Sequence, residues 1–179
     1  MDPTRALLRH FLAALAYRTQ TALRDAPASF ADFRAGPNVR TPHELVWHMT
    51  GVIGYARTAF VGGEWRPDRA PSFEAEIARF HETLEDLARH LDAGTAPVSA
   101  DATPERLLQG PLADAMTHAG QLAMLRRLAG APIPPENFMR ADIRPGNLSA
   151  EQPTPAAPKL GWTPDQPPPA PGRPLTGGA

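Results

Sequence analysis

The sequence contains no cysteine in 179 residues. That excludes a disulfide framework, a thiolate metal site and a cysteine nucleophile. Any metal ion must therefore be held by His, Asp or Glu. Lysine is almost missing too. Lys159 stands alone among 18 basic residues, and the arginines are scattered rather than clustered. With a formal net charge of −1, the chain offers no basic field for nucleic acid. No apolar run approaches the roughly 18 residues of a membrane span. The opening "MDPTRALLRHFLAALAYR" lacks the basic region and cleavage site of a signal peptide. These absences predict a cytoplasmic protein with neither nucleic acid nor membrane as a partner. Strand patterns are also lacking, because Val, Ile and Thr never alternate for more than a few residues.

What is present is helical periodicity. At 42% hydrophobic and 21% charged residues, the composition is that of an ordinary globular domain. A first helix is predicted from about Pro3 to Ala26, with Leu8, Leu12, Leu15, Thr19 and Leu23 on one stripe. A second opens at Thr41, where T-x-x-E forms a capping box with Pro42 at the first helical position. Its stripe is Leu45, Met49, Val52, Ala56 and Phe60. A third spans about Pro71–Leu91 with Ser72 as N-cap. A fourth runs from Leu112 to Gly130, with Pro111 in its first turn, and a short helix at Pro104–Gln109 precedes it. Four amphipathic helices with short connections predict an all-α four-helix bundle over residues 1–150.

Residues 151–179 differ in kind. They hold nine prolines and four glycines in 29 residues, too many to build a helix or a core. An irregular, extended arm is expected there. If it docks, on its own bundle or on a second protomer, Leu160 and Trp162 are the apolar anchors.

Chemistry concentrates in the fourth helix. Asp114, His118 and Gln121 fall within a sector of roughly 60° on a helical wheel. A polar stripe opposite an apolar face is also what a solvated helix shows. Here, however, Leu125 continues the stripe, and Lys and Glu are absent from it. His48 flanks the apolar stripe of the second helix, where a lone histidine commonly serves packing alone. Taken together, His48, Asp114 and His118 form a two-histidine, one-carboxylate set on two helices. The i, i+4 pair leans over one turn, and a third ligand from a neighbouring helix closes one face of an ion. His43, His81 and His90 read as surface positions, and His10 has no partner at ligand spacing.

Three stretches carry a resemblance. "TPHELVWH" is similar to the opening of the second helix in the DinB-like (YfiT-like) superfamily of helical metalloproteins. "DAMTHAGQLAMLRRLAG" resembles that family's His-x-x-x-His-x-Gly-Gln-Ile helix, and "APIPPENFMRADI" its closing segment. The resemblance covers roughly residues 5–145. It implies a metal centre between helices, often in a homodimer. By position, His48 and His118 match family ligands, whereas Asp114 stands where the family usually has a histidine. A carboxylate there favours Zn, Ni, Fe or Mn over metals that prefer soft ligands.

The resemblance further implies a small-molecule substrate and either hydrolase or thiol S-transferase chemistry, the latter with a low-molecular-weight thiol. A divalent ion with an open position makes a bound water or thiol nucleophilic near neutral pH. Gln121 and Tyr55 are the expected helpers, Gln121 as a hydrogen-bond partner of a ligand or water and Tyr55 as a donor at the pocket mouth. Two other readings stand beside this one. Two histidines and one carboxylate also form the facial triad of iron oxygenases. A non-catalytic dimerisation or ligand-binding module with a degenerate site is the third.

Overall fold

The computed structural model describes residues 2–159. Leu160 and Trp162, the expected anchors of the arm, lie outside the described residues. Four long helices, α1 (Pro3–Leu23), α2 (Pro42–Val61), α3 (Phe73–Asp92) and α5 (Ala113–Leu128), account for about half of the described chain. A single turn, α4 (Pro104–Leu107), precedes α5. Among the described residues there is no strand, only one isolated bridge between Glu136 and Pro158. The fold is all-α, as the periodicity predicts.

α1, α2 and α3 each start where the sequence supplies a cap. The Asp2 carboxylate accepts from the Arg5 N–H at α1. At α2 the capping box closes in both directions. The Thr41 hydroxyl accepts from Glu44 N–H at 3.2 Å, and the Glu44 carboxylate accepts from Thr41 N–H at 2.8 Å. Ser72 caps α3. Two boundaries depart from expectation. α1 ends at Leu23 rather than Ala26, because Arg24 turns extended and Asp25 takes a left-handed φ of 52°. α5 does not begin cleanly after Pro111. It is entered through a wide turn, Leu108–Leu112, in which Gly110 leaves helical geometry and Pro111 sits inside.

α1 packs on α3 and α5, and α2 packs on the same two helices. The stripes meet in one core that includes Leu12, Leu15, Met49, Ile53, Phe80, Leu84 and Leu122. A buried carboxylate joins α2 to α3. Glu76 is fully enclosed and accepts from Thr50 Oγ1, Ala70 N–H and the Arg79 guanidinium, so its charge is paired and its lone pairs are used. Gly54 of α2 is required by packing, since a Cβ there would lie 2.0 Å from the indole nitrogen of Trp65.

The segment after α5 folds back over the α1 end. Arg126 is buried and donates to the carbonyls of Ala22, Arg24 and Ala131, satisfying the orphan acceptors where α1 stops. The Tyr17 hydroxyl donates to Glu136 at 2.8 Å; burial and that carboxylate push the phenol above its ordinary range. Residues 151–159 lie along this surface. Arg24 donates to the carbonyls of Gln152 and Pro153, and Lys159 N–H donates to Pro135 O. This part of the proline-rich stretch therefore docks on its own chain.

Candidate metal centre

α2 and α5 pack side by side, and the pairing sets the site. The capping box fixes the start of α2, and with it the rotational position of His48 two turns later. On α5, Asp114 occupies the first turn, where a carboxylate also complements the helix dipole. His118 follows one turn on.

The three side chains converge. Asp114 Oδ1 lies 3.2 Å from His118 Nε2, and Asp114 Oδ2 lies 3.7 Å from His48 Nε2. The imidazole rings meet edge to face, with centroids 4.7 Å apart. One ligand atom from each residue lies within 4.8 Å of the other two. His118 is buried, His48 half-buried, and the Asp114 side chain 45% exposed, so the cluster opens on one side.

Protonation decides what this cluster wants. The Gln121 carbonyl oxygen accepts from His118 Nδ1 at 2.9 Å, so Nδ1 carries the hydrogen. With the ring neutral, Nε2 points a bare lone pair at a carboxylate oxygen; with the ring protonated, Nε2–H donates to it. Two acceptors at 3.2 Å repel unless a cation or a proton lies between them. Burial, with help from Arg40 and His118, pushes the His48 pKa below the ordinary histidine value, while Asp114 opposes the shift. His48 is accordingly neutral near pH 7, the form in which imidazole binds metal. The donor set fits a divalent ion. Ligands at about 2.0–2.2 Å from a common centre lie roughly 3–3.5 Å apart, close to the separation of Asp114 and His118. His48 needs a shift of about 1 Å to join them.

The other expected residues are placed differently. Gln121 fixes the ring of His118, a role typical of residues behind metal ligands. Its oxygen is committed to that ring. Tyr55 is exposed, seven residues beyond His48, or roughly 10 Å along the helix. It lines a separate cavity of about 300 Å³ with Thr58, Val98 and Arg106, to which none of the three cluster residues contributes.

Two histidines that read as surface positions are buried. His43 lies beside Phe73 with its Nε2 unpaired among the described residues. His81 is enclosed between α1 and the C-terminal segment, bonded to Gln20 and to the Leu148 carbonyl. His90 stacks on Phe60, and His10 is exposed. A cavity of about 560 Å³ beside the cluster, lined by Arg40, Gln121 and Met124, had no signal in the sequence, since its walls come from a loop and a distant helix.

No family model, curated protein or solved structure matches this chain.

Proposed function

We propose that the chain is a divalent-metal-dependent enzyme of the DinB-like kind, a four-helix bundle in which His48, Asp114 and His118 hold one ion. The observation that carries this reading is the convergence of one ligand atom from each of the three residues within 4.8 Å, with His118 Nδ1 committed to Gln121 and its Nε2 3.2 Å from the Asp114 carboxylate. The three short sequence motifs and the all-α fold support it. Zn, Ni, Fe and Mn suit two imidazoles and a carboxylate.

When bound, such an ion lowers the pKa of a water or low-molecular-weight thiol at its open face. The chain's own residues do the rest. His118 is held in one tautomer by Gln121. Asp114 offsets part of the ion's charge and leaves room on the solvent side. Catalysis is hydrolysis or thiol S-transfer on a small molecule, and the homodimer implied by the resemblance belongs to the same proposal.

A second reading has one observation in its favour. Asp114 replaces the usual histidine and already pairs with both rings, so the cluster can be closed by protons alone in a non-catalytic module. One experiment separates the two. Protein purified without a nickel column is stripped with chelator, reloaded by dialysis against each metal, and assayed with thiol plus electrophile and with a panel of esters. Stoichiometric metal with chelator-sensitive turnover supports the enzyme. Stoichiometric metal without turnover in either assay supports the module. Failure to bind any of the four metals defeats the metal site itself.

A further inference from the structure

The cavity beside the cluster has a definite chemistry. Val39 and Met124 give it an exposed apolar side, backed by the buried Leu45 and Leu125, and it is an open groove of about 560 Å³, room for a small molecule. Val39 and Met124 are exposed, 37% and 52%, so both offer apolar surface to a ligand. Three polar residues share the lining, Asn38, Arg40 and Gln121. Gln121 spends its carbonyl oxygen on His118, which leaves its amide N–H groups without an acceptor among the described residues.

The charges around the loop are uneven. Arg34 and Arg69 both pair with Glu44, and that carboxylate is held below its usual range, chiefly by the Thr41 N–H. Arg40, between them in sequence, has no carboxylate within ion-pair distance among the described residues. The groove thus presents one solvent-exposed guanidinium with no carboxylate partner and one free amide donor beside the apolar side chains of Val39 and Met124. A guanidinium fork and an N–H donor match the two oxygens of a carboxylate.

We propose that this groove is the substrate subsite, and that it takes a small carboxylate with a short apolar chain. The carboxylate sits on Arg40 and the Gln121 amide, and the chain lies against Val39 and Met124. Gln121 then touches the ligand with its nitrogen and His118 with its oxygen, which places the ligand beside the metal cluster. As a statement about substrate, this rests on the metal reading above; as a statement about the groove, it is measured without the metal.

The probe is hexanoate, with hexan-1-ol as its uncharged counterpart. Both are titrated into protein labelled with ¹³C at the methionine methyls, once metal-free and once zinc-loaded, with Met124→Leu assigning the reporter resonance. Hexanoate should move the Met124 resonance in both preparations. Arg40→Gln should weaken hexanoate about tenfold, Arg40→Lys should restore part of the loss, and hexan-1-ol should bind no better than hexanoate does to Arg40→Gln. Equal binding of the alcohol, or indifference to Arg40→Gln, overturns the proposal. So does a shift seen only with zinc and unaffected at Arg40, which would mean the ion itself captures the acid. A Met124 resonance that moves with protein concentration and not with hexanoate would assign the face to a second copy and also overturn it. Zinc uptake is measured on the same samples. Hexanoate binding with no uptake of zinc, or of nickel, iron or manganese in parallel dialysis, keeps the groove and removes the metal reading, and zinc uptake without hexanoate binding does the reverse.

Discussion

Two histidines of this protein are almost equally buried, His81 at 4% and His118 at 7% exposure, and each has a glutamine on one ring nitrogen. They differ in what faces the other nitrogen. His81 Nδ1 donates to the Leu148 carbonyl at 2.6 Å and Nε2 accepts from Gln20, so the neutral ring is fully satisfied by neutral partners. Nothing is left over for chemistry. His118 spends Nδ1 on Gln121, and its second nitrogen meets a half-exposed carboxylate and another imidazole. Burial alone therefore does not distinguish the histidine of the candidate site from one that only packs. The partner of the second nitrogen does.

The largest effect that tests this contrast is the acid response of His81. Burial drives its pKa down to about 4, against roughly 6.5 in an unfolded chain. The unfolded state therefore takes up the proton first. The contribution of His81 is complete above about pH 6.5 and is lost as pH falls toward 4, by as much as about 3 kcal/mol. Urea midpoints between pH 7 and pH 4 should show that slope, and His81→Leu should flatten it. An unchanged slope in His81→Leu would mean the ring is not as enclosed as described.

Gln121 sharpens the comparison from the other side. Gln121→Leu leaves His118 free to rotate and change tautomer, so metal affinity by equilibrium dialysis should fall about 10–100-fold. The matching change at His81, Gln20→Leu, should cost stability and leave metal affinity alone. Equal effects of the two variants on metal would erase the distinction.

A smaller effect is expected where the C-terminal segment seals the His81 end. Removing residues 151–179 takes away the carbonyls that Arg24 donates to and the backbone pairing at Glu136, but keeps Leu148 over His81. With net contributions of about 0.5–1.5 kcal/mol per hydrogen bond and partial rescue by water, a loss of about 1–2 kcal/mol follows. It is read as a lower melting temperature with unchanged metal content. Smallest of all, Asp114→Ala should change folding stability by less than about 0.5 kcal/mol, because the side chain is half-exposed and its neighbours remain packed.

The contrast also explains what could be read before the structure. His48, Asp114 and His118 were legible because an i, i+4 pair is a local fact and the second helix announces its start with Thr41 and Glu44. The core stripes were legible for the same reason, and Leu8, Leu12, Leu15, Thr19 and Leu23 are all buried. His43 and His81 were not. Each is followed by a glutamate, Glu44 or Glu82, but the covering groups come from elsewhere, Phe73 in one case and Leu148, 67 residues away, in the other. The helix ends at Leu23 and Pro111 were misjudged because periodicity does not register a left-handed Asp25 or a wide turn at Gly110. Arg40 carried no signal, since only the folded loop shows that its neighbours, and not it, are paired.

The central claim, that three side chains on α2 and α5 hold one ion, is tested most directly by metal stoichiometry in an Asp114 series. Native protein should bind one divalent ion per chain. Asp114→Ala should bind far less while its denaturation curve stays in place, and Asp114→His should bind one ion again, with preference shifting toward zinc. Equal metal content in native protein and Asp114→Ala, or none in either, would contradict the account.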